Sequence, residues 1–233
     1  MLHGFSSTPR QFKELSNYMS EKGFNVSAPL VAGHGTSPED FIKSSPKDWT
    51  RSVMEAYLEL KKISKKIFII GNSFGSNLGL WLIKELDNEP SGIITLGAPL
   101  YLRYQWLIKL RYYTYGRFLK YYKKPKSIYK ADCTDMNGEI TYPVIPIKNL
   151  KEFLDFLEQE TIPNLNKIRI PILIASASVD PIIHPKSVKC IYKNVCSPKK
   201  DIFWFESNKH SAVSEENLEI LFKKAYDFIK EFS

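Results

Sequence analysis

A serine hydroxyl becomes a useful nucleophile only when a base can take its proton and donors await the oxyanion it creates. The stretch Gly71-Asn72-Ser73-Phe74-Gly75 offers such a hydroxyl, set between an apolar run and an amphipathic segment. In a strand-to-helix turn that tight, side chains two residues before and two after the serine would collide with neighbouring backbone, and Gly71 and Gly75 remove them. The turn lifts Ser73 above the sheet, beside a helix N-terminus whose dipole favours negative charge. An ordinary strand-to-helix turn is the competing reading. The strand before and the helix after discriminate against it.

The base must be one of four histidines: His3, His34, His184 or His210. His3 and His34 precede the serine and lie in other loops. His184 trails Asp180 by four residues and would sit beside it, leaving neither free to span towards Ser73. His210, in a loop between the last strand and the last helix, is the preferred base. Asp180 follows the run Ile172–Val179 and is the preferred acid. Asp201 begins a strand and Glu206 stands close to His210, which makes both weaker candidates. Two backbone N–H groups complete the set as an oxyanion hole: that of Phe74, next after the serine, and that of Phe5 in His3-Gly4-Phe5.

The elements that must position these groups follow from the hydrophobic pattern. Short apolar runs alternate with longer amphipathic segments, as in a parallel sheet covered by helices. Thr8-Pro9 opens a helix predicted to stop at Gly23, and Phe24–Ala28 reads as a strand. Ser45-Pro46 opens a second helix with Trp49, Val53, Ala56, Tyr57 and Leu60 on one face. Strands are expected at Ile67–Ile70, Ile93–Leu96, Ile172–Ala175 and Ile202–Phe205, and helices after Ser73, over Lys186–Tyr192 and from Glu215 to Phe232. The rhythm breaks between Tyr101 and Leu165, where a cap is expected: one or two helices, an irregular stretch, and a helix near Leu150–Gln159. Core segments 1–100 and 166–233 would then flank a cap at 101–165.

Bulk properties narrow the field. The 233 residues, 43% of them hydrophobic and 25% charged, suit one globular domain with a sizeable core. A net charge of +8 raises nucleic-acid binding, but the lysines are dispersed and no nucleic-acid motif accompanies them. Three cysteines, Cys133, Cys190 and Cys196, form neither a disulfide framework nor a zinc site. A reducing, cytoplasmic setting fits them, with Cys190 and Cys196 able to pair only if geometry allows. No apolar run approaches the roughly 18–20 residues of a membrane span.

With these residues in view, the chain resembles the bacterial carboxylesterase and monoacylglycerol lipase branch of the α/β-hydrolases. The resemblance is carried by Leu2-His3-Gly4-Phe5, Ala28-Pro29-Leu30 leading to Gly33-His34-Gly35, and Trp49 after Lys47-Asp48. Gly71–Gly75, Gly97-Ala98-Pro99, Ser178-Val179-Asp180 and His210 extend it over nearly the whole chain. It implies an α/β-hydrolase fold with a small helical cap, and hydrolysis of small to medium acyl esters, monoacylglycerols included, through an acyl-enzyme and without metal or organic cofactor. It also implies a structural loop role for His34. A thioesterase or acyltransferase uses the same three side chains, and an inactive binding protein is the non-enzymatic alternative.

Two departures stand out. Asn208-Lys209 precedes His210, where a glycine is common. More seriously, only Met1-Leu2 stands where the family has its central strand, so the first strands are expected to be missing, the sheet split beside Phe24–Ala28, and Phe5 poorly held. The aromatic, basic run from Tyr101 to Tyr122 suits an acyl pocket with weak contact to an anionic lipid surface. It equally suits a cap helix whose charges are simply solvated.

Overall fold

The computed structural model describes residues 1–114, 116–124, 134–135, 138–139, 141–206, 210 and 218–233. Its strands are β1 (Phe68–Asn72), β2 (Gly92–Leu96), β3 (Tyr121–Lys123), β4 (Thr134–Asp135), β5 (Gly138–Glu139), β6 (Val144–Pro146), β7 (Ile172–Ala177) and β8 (Lys200–Phe205). The α-helices are α1 (Lys13–Glu21), α2 (Pro38–Phe41), α3 (Pro46–Lys61), α4 (Phe74–Glu85), α5 (Gln105–Thr114), α6 (Ile147–Phe156), α7 (Lys186–Asn194) and α8 (Leu218–Phe232).

The central sheet is parallel throughout, in the order β1-β2-β7-β8. Successive strand side chains point to opposite faces, and both faces are buried. Ile69, Ile93, Ile172 and Ile174 meet Trp49, Val53 and Tyr57 of α3 and Leu78 and Leu82 of α4 on one side. On the other, Ile70, Ile94, Leu173 and Ala175 meet Leu15 and Met19 of α1 and Leu221, Phe222 and Ala225 of α8. Each fully buried Leu, Ile or Phe contributes about 1.5–3 kcal/mol. The α3 helix starts cleanly, with Pro46 at its first position and the Ser45 N–H donating to Asp48 Oδ2 at 3.1 Å.

Phe24–Ala28 is not a strand. The chain that runs beside it is Met1-Leu2, whose amine donates to Ser27 O at 2.6 Å. On its other side Leu2 bridges β1: its N–H donates to Ile70 O at 2.8 Å and its carbonyl accepts from Asn72 N–H at 2.9 Å. Among the described residues no ladder joins the segment from Phe24 to the sheet. The α2 helix went unread because four residues carry no helical period, although Ser37-Pro38 is a start signal and Ser37 Oγ caps Asp40 N–H at 3.1 Å.

Between β2 and β7 lie α5, a two-stranded antiparallel pair of β3 with β6, a second pair of β4 with β5, and α6, which continues into a π-helical turn at Leu157–Thr161. Neither strand pair was expected. The start of this segment is fastened to the loop after β7: Leu102 bridges Ile183, and Arg103 N–H donates to Ile182 O at 2.7 Å. Cys190 and Cys196 are free thiols, so they do not pair; Cys133 lies outside the described residues, as do 215–217 of the last expected helix. Among the described residues no helix is long and apolar enough to cross a membrane.

Candidate active site

Ser73 sits between the end of β1 and the start of α4, with φ 50° and ψ −123°. That conformation is uncommon for a residue with a side chain and costs of order 1–3 kcal/mol, so the surroundings must enforce it. They do: Ser73 N–H donates to Leu96 O at 2.7 Å, and Ser76 Oγ–H donates to Gly71 O at 2.7 Å. A Cβ on Gly71 would lie 2.5 Å from Gly75 O, and one on Gly75 would lie 1.9 Å from Leu2 O. Gly75 thus lets the Met1–His3 backbone press directly onto the first turn of α4.

Three loops at the carboxyl edge of the sheet converge, as open α/β sheets arrange their ligand sites. Beyond β8, His210 faces Ser73 with Nε2 at 3.0 Å from Oγ. Its Nδ1 lies 2.8 Å from Asp180 Oδ2, beyond β7. Asp180 is buried, and its other oxygen accepts from Ile182 N–H at 2.7 Å and Ile183 N–H at 2.8 Å. The carboxylate is therefore oriented from its own loop and left with one oxygen for the ring. With Nδ1–H donating to Asp180, Nε2 is the acceptor that the serine hydroxyl needs.

The rivals are placed elsewhere. His184 Nδ1 accepts from Lys186 N–H at 3.1 Å ahead of α7. Asp201 pairs with Lys224 at 3.0 Å, and Glu206 is exposed. His3 is buried, with Nε2 accepting from Val31 N–H and Nδ1–H donating to Gly4 O, both at 3.0 Å. Burial lowers its pKa to about 4. His34 stands edge-on to it with ring centroids 5.0 Å apart, and burial, reinforced by His3, takes its pKa down to about 3. Both rings are neutral struts.

Phe5 is firmly seated. Its ring packs on Phe41, Trp49, Phe74 and Phe153 with centroids 4.8–5.8 Å apart. This corrects the expectation of a poorly held Phe5: aromatic packing, with the neighbouring His3 bonded to Val31 N–H, seats it. Phe74, as the first residue of α4, has an N–H with no intrahelical acceptor. A Cβ on Gly4 would come within 3.3 Å of Ser73 Cβ, so the Gly4–Phe5 backbone closely approaches the serine.

A cavity of ≈ 370 Å³ opens onto Ser73 and His210. Its apolar wall includes Leu102, Leu107, Ile108, Ile145, Leu150 and Phe153. Its polar wall includes Ser6, Gln11, Asn72 and Thr141, with Asn72 Nδ2 donating to Gln11 Oε1 at 2.8 Å. Among the described residues that line it, the cationic ones are Arg103 and Lys124, and there is no Asp or Glu. Lys124 donates to Ser6 Oγ at 2.8 Å and Thr141 Oγ1 at 2.5 Å. Sequence alone places Arg103 in an aromatic, basic run without showing that it faces the cavity, and it gives no sign of Lys124 or Thr141. A second cavity of ≈ 330 Å³ shares Ile108, Tyr122 and Leu150 with the first. Among the described residues no group of three or more His, Cys, Asp and Glu is placed to hold a metal.

Residues 1–217 match the sequence model of the family described as Hydrolase_4, serine aminopeptidase S33. A carboxylesterase of Bacillus subtilis (strain 168) is 26% identical over 234 residues, covering 99% of this chain and 91% of that protein. A thermostable monoacylglycerol lipase of Bacillus sp. (strain H-257) is 27% identical, covering 98% of this chain and 88% of that one. Among solved structures, one from the metagenome-derived lipolytic enzymes LipS and LipT superposes with a TM-score of 0.87 at 24% identity, over 99% of this chain and 91% of that one. The fold is that of the α/β-hydrolases.

Proposed function

Because the chain belongs to the serine aminopeptidase S33 (Hydrolase_4) family, whose members are hydrolases, we propose that it is a serine carboxylesterase acting on small to medium acyl esters, monoacylglycerols among them. The observation that carries this reading is the unbroken relay from Asp180 through His210 to Ser73, at 2.8 and 3.0 Å, at the floor of a largely apolar cavity.

In the proposed reaction Ser73 Oγ attacks the ester carbonyl while His210 Nε2 takes its proton. Asp180 holds the ring in the tautomer that makes this possible and stabilises the imidazolium. Phe5 N–H and Phe74 N–H receive the tetrahedral oxyanion, each such donor contributing on the order of 10²–10³ in rate. His210 then protonates the leaving alcohol, and an acyl group stays on Ser73. Water, deprotonated by the same imidazole, attacks that acyl-enzyme and regenerates the serine. Residues 101–165 act in this scheme as a cap over the core formed by 1–100 and 166–233, supplying Leu107, Ile108, Leu150 and Phe153 to the acyl wall.

The name of the family raises peptide cleavage as a rival. An aminopeptidase must hold the cationic amino terminus of its substrate, which asks for a carboxylate in the cavity. Arg103 and Lys124 line this one and, among the described residues, no Asp or Glu does, so a neutral or anionic ester is favoured. Thioester hydrolysis uses the same steps and is compared directly by offering oxygen and sulfur esters of equal chain length. The exposed rings of Tyr104, Trp106, Tyr113 and Phe118, in a stretch that also carries Lys109 and Lys120, also support a weak contact of the cap with anionic lipid.

The test is Ser73→Ala. Hydrolysis of p-nitrophenyl acyl esters is expected to fall by on the order of 10⁴-fold or more, and labelling by a fluorophosphonate probe to vanish, with the circular dichroism spectrum unchanged. Ester hydrolysis retained by that variant would refute the proposal.

A further inference from the structure

The cavity beside Ser73 is built for more than an acyl chain. Arg103 lies on its wall, part-buried, and its position is set by three separate ties to the loop that carries Asp180. Leu102 pairs with Ile183, Arg103 N–H donates to Ile182 O at 2.7 Å, and Arg103 Nε donates to Asp180 O at 2.6 Å. Among the described residues the guanidinium has no carboxylate partner and no hydrogen bond beyond that one at Nε. A guanidinium presents five N–H donors in a planar fork. Holding it by Nε alone leaves the terminal pair of nitrogens, the edge that suits two oxygens of one anion.

The charge pattern points the same way. Part-buried cations are ordinarily matched by carboxylates, and ion pairs are plentiful elsewhere on this chain, as at Lys84–Glu160 and Lys109–Glu158. Among the described residues that line this cavity there is no Asp or Glu. An acidic residue here would satisfy Arg103 permanently; with none among the described lining residues, a fixed positive group shares the cavity with Ser73.

We propose that Arg103 recognises a carboxylate or phosphate carried by the ester substrate, so that the preferred substrates are anionic esters. This rests on the esterase reading and narrows it. The same oxyanion chemistry has two sources: a terminal carboxylate on the acyl portion, as in the half-ester of a dicarboxylic acid, or a phosphate on the alcohol portion, as in an acylglycerol phosphate. Arg103 is a specificity residue here and takes no part in proton transfer.

Binding separates this proposal from turnover. In Ser73→Ala protein, calorimetry would compare two matched pairs: monoethyl glutarate against ethyl valerate, and a short-chain 1-acylglycerol 3-phosphate against the same 1-acylglycerol. At least one anionic member is expected to bind about tenfold or more tighter than its neutral partner, the low end for hydrogen bonds to charged groups. The pair that shows the preference identifies the source. Adding Arg103→Met should collapse that preference, and Arg103→Lys, which keeps the charge without the fork, should retain part of it.

Equal affinities within both pairs would overturn the proposal. So would an Arg103→Met variant that weakens anionic and neutral ligands by the same factor, because a merely structural tie to the Asp180 loop has that signature. Failure of wild-type protein to turn over any ester would count against the esterase reading, while the affinity ratios would still report on Arg103.

Discussion

At the scale of single residues, the site depends on histidines in opposite circumstances. His210 is poised between an acceptor and a donor, whereas His3 and His34 are sealed in the core as neutral rings. Their depressed pKa values, about 4 and about 3 against 6.5 for a free side chain, make them a source of acid sensitivity. In the unfolded chain both rings take up a proton as pH falls through about 6.5, while in the folded chain they stay neutral. Protons then bind preferentially to the unfolded state. Stability contributed by the neutral rings is thus complete above about pH 6.5 and is lost progressively towards pH 4. Each ring should withdraw about 2 kcal/mol between pH 7 and pH 5. Urea unfolding at those two pH values should show the loss for wild type, and a smaller loss for His34→Phe. An undiminished loss in that variant would mean that other groups govern the acid response.

Elements explain why the turn at Ser73 has its glycines. A Cβ on Gly75 would overlap Leu2 O at 1.9 Å, so Gly75→Ala must displace either the first turn of α4 or the Met1–His3 segment. Overpacking against backbone should cost more than about 3 kcal/mol, and it should also disturb the Phe5 loop that follows His3. Gly23 provides the contrast: it has φ +87°, but a Cβ added there would meet nothing within 4 Å. Gly23→Ala should cost only about 1–2 kcal/mol, the strain of a left-handed alanine. Denaturant midpoints of the two variants compare them directly. Equal costs would show that steric contact with Leu2 is unimportant.

For the whole molecule, the relevant quantity is how the cavity meets its surroundings. Trp106 is 65% exposed and Phe118 79% exposed, large rings in the segment that also supplies Leu107, Ile108 and Tyr122 to a cavity proposed to take acylated substrates. Co-sedimentation should show binding to vesicles containing anionic lipid, weaker at high salt and weaker again in Trp106→Ala. Binding that ignores both salt and lipid charge would remove the proposed surface contact. The same net charge of +8 that suggests lipid approach is consistent with the anion preference assigned to Arg103, although the two are tested independently.

What the sequence determined by itself is local. Short continuous apolar runs, helix starts at Ser45-Pro46, and the glycines around Ser73 are short-range facts, and β1, β2, β7 and β8 of the central sheet could be read from them; a further strand expected at Phe24–Ala28 is the exception and does not form. That exception depended on a partner strand, and a ladder is a property of two chain segments rather than one. The order of Ser73, Asp180 and His210 along the chain was likewise legible, but their distances were not. Only the tertiary structure decided that Asp180 is steered by Ile182 and Ile183, that Phe5 is held by an aromatic cluster drawn from four separate elements or loops, and that Arg103 meets the cavity. Such contacts join residues tens of positions apart, and their energy comes from burial and hydrogen bonds that exist once the sheet has brought its loops to one edge.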